Sequence, residues 1–225
     1  MKIAIIPARG NSKRIKSKNI KNFFGKPIIK VTIEILKKSK IFDKIILTTE
    51  DKKIKRICKN FGFDEIIDRP KKLATDHIST IDVIKHAIKT LEKKNDISSI
   101  CCVYPCSPFL KKSTLLKAYS ILKSKKDFIF PITSFPSPIQ QALEIKNNKL
   151  FYSNKKFVKL QTQKLKKFYY DAGQFYLGTR FSWMNNSKIL KGIKLPKYSS
   201  VDIDDKDDWL FSERLYKLLK NEKKL

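Results

Sequence analysis

Five short apolar runs constrain this chain more than any other feature: KIAIIP (2–7), KIILTT (44–49), ISSICCVYP (97–105), DFIFPIT (127–133) and GQFYLG (173–178). Each is of strand type, and most are separated by stretches whose apolar residues recur at helical spacing. Ile81, Ile84, Ile88 and Leu91 share one face, as do Leu115, Ala118, Tyr119 and Leu122, and as do Phe211, Leu215, Leu218 and Leu219. Ser79, followed by Asp82, has the form of a helix N-cap. Strands alternating with helices build βαβ units, so the expectation is an α/β fold with a mainly parallel sheet. Ligands of such sheets sit at the carboxyl ends of the strands, which makes the loop after the first run the first candidate site.

Residues 134–170 break the alternation. SFPSPIQQALEIKNNKLFYSNKKFVKLQTQKLKKFYY holds three short β-like pieces and the turn signals KNNK and YSNKK, without a clear amphipathic helix. This stretch reads as an inserted hairpin arm or lid in a single domain spanning 1–225. Its mixed Lys, Phe and Tyr suit a β arm with aromatics inward and lysines outward, or a platform for single-stranded nucleic acid.

The 225 residues carry 50 Lys and Arg against 21 Asp and Glu, a formal charge of +29. Such a field attracts nucleic acid, acidic membrane or anionic small molecules. The lysines are interspersed with acids rather than gathered in one block, so the charge singles out no partner. Cys58, Cys101, Cys102 and Cys106 have no CxxC spacing, which supports neither a zinc site nor a disulfide framework. The apolar start of MKIAIIPARG is too short for a signal peptide, and no run is long enough to span a bilayer. A reducing, cytoplasmic setting is expected.

The loop after the first run belongs to IPARGNSKRIKSKN (6–19). Arg9, Gly10, Asn11, Ser12, Lys13, Arg14, Lys18 and Asn19 supply guanidinium and ammonium donors, a hydroxyl, and a glycine that lets backbone N–H groups approach an anion. A polyphosphate is the natural guest. The pattern is neither GxxxxGK[ST] nor GxGxxG, which disfavours P-loop NTPases and Rossmann dehydrogenases. Far along the chain, VDIDDKDDW (201–209) places Asp202 and Asp204 on one side of an extended segment, where two carboxylates suit a hard cation such as Mg²⁺. Capping of the last helix by Asp204 or Asp205 accounts for one of these acids and not for the cluster. His77, in the loop before its helix, and His86, off its helix's apolar stripe and solvated, are not read as acid or base.

IPARGNSKRIKSKN fits the signature IPARxxSKRxxxKN, and in it the chain resembles the CMP-sialic acid synthetase group, cytidylyltransferases that activate nine-carbon acidic sugars. RPKKLATDHISTID (69–82) resembles that group's RPxxLAxDxxxxxD, which lies at the nucleotide pocket. VYPCSPFL (103–110) stands where the group has LQPTSPLR; Pro105, Ser107 and Pro108 are kept, but Tyr104 replaces Gln and Leu110 replaces Arg, which argues against N-acetylneuraminate. YYDAGQFYLG (169–178) and FPSPIQQAL (135–143) resemble DAGQFYWG and FPFPIQRAL of the branch that acts on pseudaminic acid. The departures are Gln141 for Arg, and QTQK (161–164) for RSQD.

The resemblance implies a Rossmann-like, three-layer, GT-A-like nucleotidyltransferase fold and a homodimer in which one subunit's arm reaches over the other's sugar site. It implies the partners CTP and an acidic nine-carbon sugar, joined to give a CMP-sugar and pyrophosphate for bacterial surface glycans or flagellin glycosylation. Arg9, Lys13, Asp202 and Asp204 would be catalytic, the two aspartates holding Mg²⁺. Ala8, Gly10, Asn11, Ser12, Lys18, Asn19, Arg69 and Ser79 would join Arg9 and Lys13 around the nucleotide, and Tyr104, Ser107, Gln140, Gln163, Asp171, Gln174 and Tyr176 would contact the sugar. N-acetylneuraminic, legionaminic and keto-deoxy-octulosonic acids are the alternative substrates. A basic RNA-binding protein and a sugar-nucleotide sensor are alternatives of a different class, the first marked by steeply salt-dependent binding and no turnover.

Overall fold

The computed structural model describes residues 1–92, 96–185, 188–197 and 199–222. The chain opens with strand β1 (Lys2–Pro7), the short hairpin strands β2 (Asn22–Phe23) and β3 (Lys26–Pro27), helix α1 (Ile28–Ser39), β4 (Lys44–Thr49), α2 (Lys52–Asn60) and β5 (Ile66–Asp68). Then come α3 (Thr80–Leu91), β6 (Ser99–Val103), α4 (Lys112–Ile121), β7 (Asp127–Ser134), β8 (Leu143–Lys146) and β9 (Lys149–Tyr152). The last elements are β10 (Tyr169–Asp171), β11 (Phe175–Thr179), α5 (Arg180–Met184), β12 (Ile189–Lys194) and α6 (Lys206–Asn221).

The strands lie in the order β10-β7-β11-β6-β1-β4-β5, with β12 also paired to β7. β1 is parallel to β4 and β6, β4 to β5, and β12 to β7. β11 runs antiparallel between β6 and β7, and β10 is antiparallel to β7. The sheet is therefore mixed, with parallel pairs in the majority. All five predicted strands are present. β5, only three residues long, and β12, a Lys- and Gly-bearing strand, lack the apolar runs by which the others were read.

Side chains of successive strand residues go to opposite faces, and both faces here are covered. Ala4, Ile6, Leu47, Cys101 and Val103 pack with Ile29, Ile33 and Leu36 of α1, Ile54 of α2 and Leu115 of α4. Ile3, Ile5, Ile46, Ile100 and Cys102 pack on the other side with Ile84, Ala87 and Ile88 of α3 and Trp183 of α5. Adjacent Cys101 and Cys102 thus enter different cores, and all four cysteines are buried free thiols. A third cluster joins Ile15, Phe23, Ile28, Cys106, Ile203 and Trp209, fastening the β1 loop to the start of α6.

Two predicted helix faces need correction. On α3 the core face is Val83, Ile84, Ala87 and Ile88, while Ile81 is exposed. On α6 the buried residues are Trp209, Ser212 and Leu215, and Phe211 and Leu218 face outward at 47% and 54% exposure. The cause lies at the helix start. Asp205 accepts the N–H groups of Asp207 and Asp208, both at 2.9 Å, and so fixes the entry of α6. That entry brings Trp209 edge-on to Phe23 at 5.6 Å. Ser79 caps α3 as predicted, its hydroxyl oxygen accepting from Asp82 N–H at 3.2 Å, a contact that stabilises a helix by about 1 kcal/mol.

Within 134–170, β8 and β9 form a hairpin whose turn residues Asn147 and Asn148 have φ of 50° and 58°. Two left-handed residues in a two-residue turn match the right-handed twist of the strands. Every side chain of β8 and β9 is exposed, with Ile145 at 74% and Leu150 at 65%. The expected inward packing of the arm's aromatics is found only in part: Phe135 packs on Tyr170 at 4.9 Å, whereas Phe151 and Tyr152 of the hairpin are open to solvent. Among the described residues no helix is long and apolar enough to cross a membrane.

Candidate active site

The loops leaving the carboxyl ends of β1, β5 and β6 enclose a cavity of about 570 Å³, together with the segment before α6. Its size is that of an ordinary small-molecule site. The β1 loop is fastened at both ends. Ala8 N–H donates to Thr48 O at 3.0 Å. The side chain of buried Asn19 donates to Arg9 O at 2.9 Å and accepts from Cys106 Sγ at 3.5 Å. Between these ties Arg9, Ser12, Lys13 and Arg14 face the cavity. Lys18 spans to its far side, where its Nζ donates to Ile203 O at 2.6 Å and lies 3.4 Å from Asp204 Oδ1.

Arg9 and Lys13 both pair with Asp76, each at 2.6 Å. Lys13 foremost, and then Arg9, hold the Asp76 carboxyl below its ordinary range. These side chains are solvent-exposed, and exposed ion pairs are weak, so a polyphosphate with several charges competes well for both cations.

Gly10 has a different role from the one its sequence suggested. Its N–H is taken by Glu50 Oε1 at 2.8 Å rather than offered to the cavity, and a Cβ here would run into the Asp51 carboxylate. The other Glu50 oxygen accepts from Arg69 Nε at 3.0 Å and from Arg69 Nη2. Burial works to raise the Glu50 carboxyl, but the Gly10 amide and Arg69 outweigh it and leave it lowered.

Across the cavity the acidic run divides its labour. Asp208 accepts the N–H groups of Asp204 and Asp205, at 2.9 and 3.0 Å, and completes a capping box with Asp205. Asp202 and Asp204 are left facing the cavity. Asp204 lies 2.9 Å from Arg14. Burial, and next the Asp204 charge, push the Asp202 carboxyl up while Lys18 opposes them. Gly173, with φ of 64°, lies so close that a Cβ would stand 2.7 Å from Asp202 Cγ. Among the described residues no group of three or more His, Cys, Asp or Glu forms a metal cage. A crowded, half-desolvated carboxylate pair nonetheless fits Mg²⁺, which is held by one or two carboxylates with phosphate and water completing its shell.

Of the residues expected at the nucleotide, Arg9, Ser12, Lys13, Lys18, Asn19 and Arg69 meet in the cavity wall; Ala8, Gly10, Asn11 and Ser79 do not line it. Of those expected at the sugar, Tyr104 alone lines it. Its ring meets that of Tyr176 edge-on at 5.5 Å, and Tyr176 OH donates to Asp171 Oδ2 at 2.5 Å. Ser107 and Gln174 are buried beneath: Gln174 O accepts from Tyr104 N–H at 3.0 Å and from Ser107 Oγ at 3.2 Å. Gln140 lines a separate cavity of about 370 Å³ at the base of the arm, and exposed Gln163 bonds to Gln161. His86 is half-buried rather than solvated, its basicity lowered by burial and then by Arg69 and Lys72. Asp76, Thr80 and Glu50 are site residues that the sequence does not mark out: Asp76 and Thr80 lie within 69–82 among many polar residues, and Glu50 is the first acid after a strand run, a signal too common to use.

A family model described as Cytidylyltransferase matches residues 3–194. The chain belongs to the cytidylyltransferase family. This cytidylyltransferase is 38% identical over 223 residues to the pseudaminic acid cytidylyltransferase of Campylobacter jejuni, covering 96% of both chains. It is 29% identical to the N-acylneuraminate cytidylyltransferase of Escherichia coli, over 92% of this chain and 50% of that one. Among solved structures it resembles a CMP:2-keto-3-deoxy-manno-octonic acid synthetase complexed with CTP, with a TM-score of 0.71 and 14% identity, covering 98% of this chain and 99% of that one. That likeness establishes the three-layer α/β nucleotidyltransferase fold.

Proposed function

We propose that this enzyme transfers the cytidylyl group of CTP to the anomeric hydroxyl of pseudaminic acid, releasing pyrophosphate. A bond forms between the anomeric oxygen and the α-phosphorus, the α–β phosphoanhydride breaks, and the hydroxyl proton passes to solvent. The observation that carries the reading is the opposition, across one cavity, of the Arg9, Ser12 and Lys13 group to the Asp202 and Asp204 pair. The choice of sugar acid is supported by the relative from Campylobacter jejuni, and by Tyr104 in the cavity wall where N-acylneuraminate enzymes are expected to carry Gln.

Phosphoryl-type transfer asks the protein chiefly for positioning and charge neutralisation. Arg9, Lys13 and Ser12 hold the triphosphate and stabilise charge on the departing pyrophosphate, with Asp76 giving up its two cations as the nucleotide enters. Arg69 and Asn19 fix the nucleoside end. Asp202 and Asp204 would hold Mg²⁺, which when bound neutralises phosphate oxygens and lowers the pKa of a nearby hydroxyl. Tyr104 presents its hydroxyl to the sugar, with Tyr176 and Asp171 bracing it from behind. The bare apolar arm suits a homodimer in which each subunit's hairpin packs on the other.

The test is pyrophosphate release with CTP, Mg²⁺ and a panel of nonulosonic acids. Turnover with pseudaminic acid far above that with N-acetylneuraminic or legionaminic acid is expected. Turnover with N-acetylneuraminic acid alone would overturn the sugar assignment and leave the reaction class standing.

A further inference from the structure

We propose that Glu50 is a positioning residue that sets the nucleotide end of the cavity, one carboxylate oxygen holding the β1 loop through the Gly10 amide and the other aiming Arg69. Glu50 itself does not line the cavity. It sits just past the end of β4, between the β1 loop and the residues that follow β5, and its two oxygens reach one of each. Oε1 accepts from Gly10 N–H at 2.8 Å, and Oε2 accepts from Arg69 Nε at 3.0 Å and from Nη2.

Both contacts are enclosed. The Arg69 side chain is 4% exposed and that of Glu50 15%. A guanidinium so buried needs a counter-charge, and a fork bonded through two nitrogens is fixed in direction as well as charge. The backbone adds to the constraint. Arg69 N–H donates to Thr49 O at 3.1 Å, so the cation's own main chain is tied to the residue before Glu50. On the other side Gly10 lies against Asp51, whose Oδ1 accepts Ile54 N–H at 2.7 Å and caps α2. Loop, cation and helix start are thereby referenced to the two residues after β4. Arg9 and Ser12, in the cavity wall, flank the Gly10 amide that Glu50 holds, and Arg69 is in the wall itself. A displacement of this carboxylate moves nucleotide contacts on two strands' loops at once, whereas its own side-chain bonds go to Gly10 and Arg69 and not to Asp202, Asp204 or Tyr104.

This rests on the assignment of the cavity to CTP, so the experiment measures CTP binding by calorimetry as well as turnover. In Glu50→Ala the expected result is a KM and a Kd for CTP raised by about tenfold or more, with the KM for the sugar acid within about twofold of wild type. Glu50→Asp keeps the charge but is one methylene shorter, and it should fall between Ala and wild type. Should the lone buried Arg69 prevent Glu50→Ala from folding, the double variant with Arg69→Ala carries no buried charge. It should bind CTP more weakly than Arg69→Ala alone, because the Gly10 tie to the β1 loop is lost as well, and equal affinity in the two would overturn the proposal. A folded Glu50→Ala with wild-type CTP affinity, or one that loses CTP and sugar acid affinity equally, would overturn the proposal. Failure of the wild-type protein to bind CTP would overturn the nucleotide assignment instead.

Discussion

The cavity and the arm, the two regions proposed to meet substrates, are built in opposite ways. The cavity is finished within one chain: Asn19, Arg69 and Glu50 are enclosed, each bonded to a neighbouring segment before any ligand arrives. The arm over residues 134–170 is unfinished, because Ile145, Leu150, Phe151 and Tyr152 stand in solvent. Binding energy at the first end is not spent on ordering it, whereas the hairpin of the second, though bonded within its own chain, presents apolar surface that only something outside the chain would cover.

The acidic side of the cavity should give the largest effect. Asp202→Asn and Asp204→Asn are each expected to lower Mg²⁺-dependent pyrophosphate release by about a hundredfold or more. A Mg²⁺ titration of initial rates checks this, and unchanged activity in both would remove the metal from that side. Lys13→Ala should follow, raising the KM for CTP by about tenfold to a hundredfold through loss of a charged phosphate contact. Steady-state kinetics at fixed sugar acid would show it, and an unaltered KM would mean that Lys13 serves only to hold Asp76. The arm should give the smallest effect on folding and the clearest on assembly. Ile145→Asp with Leu150→Asp should leave stability within about 0.5 kcal/mol of wild type. The same variant should turn a dimer into a monomer in light scattering. A large loss of stability in the isolated subunit would mean that these side chains pack on their own chain, and the contrast between the two ends would collapse.

How much of this was legible in sequence follows the same contrast. The parallel core could be read because Ile-rich runs buried on both faces have few alternatives, and the β1 loop because its charges follow one such run. The division of the acids before α6 could be read only in part: the sequence offers five aspartates between 202 and 208, but not that Asp205 and Asp208 close a capping box while Asp202 and Asp204 face the cavity. The misread face of α6 has the same origin, since its entry angle is set by that cap and by the Phe23–Trp209 contact across a long span of chain. The motifs of Ser107 and Gln174 imply sugar contacts, yet the two are tied to each other beneath Tyr104. Spacing identifies which residues travel together and not which of them reaches the surface of a pocket. Glu50 was invisible for a related reason, as its importance depends on what lies on either side of it in space.

Gly173 shows how narrow the tolerance of this arrangement is. Its φ of 64° would still admit an asparagine, the residue that most readily stands in for glycine in a left-handed turn. A Cβ, however, would stand 2.7 Å from the carboxyl carbon of Asp202, so any side chain here displaces the carboxylate proposed to hold the metal. A variant library at this position should therefore return one letter, even though the residue contributes no functional group of its own.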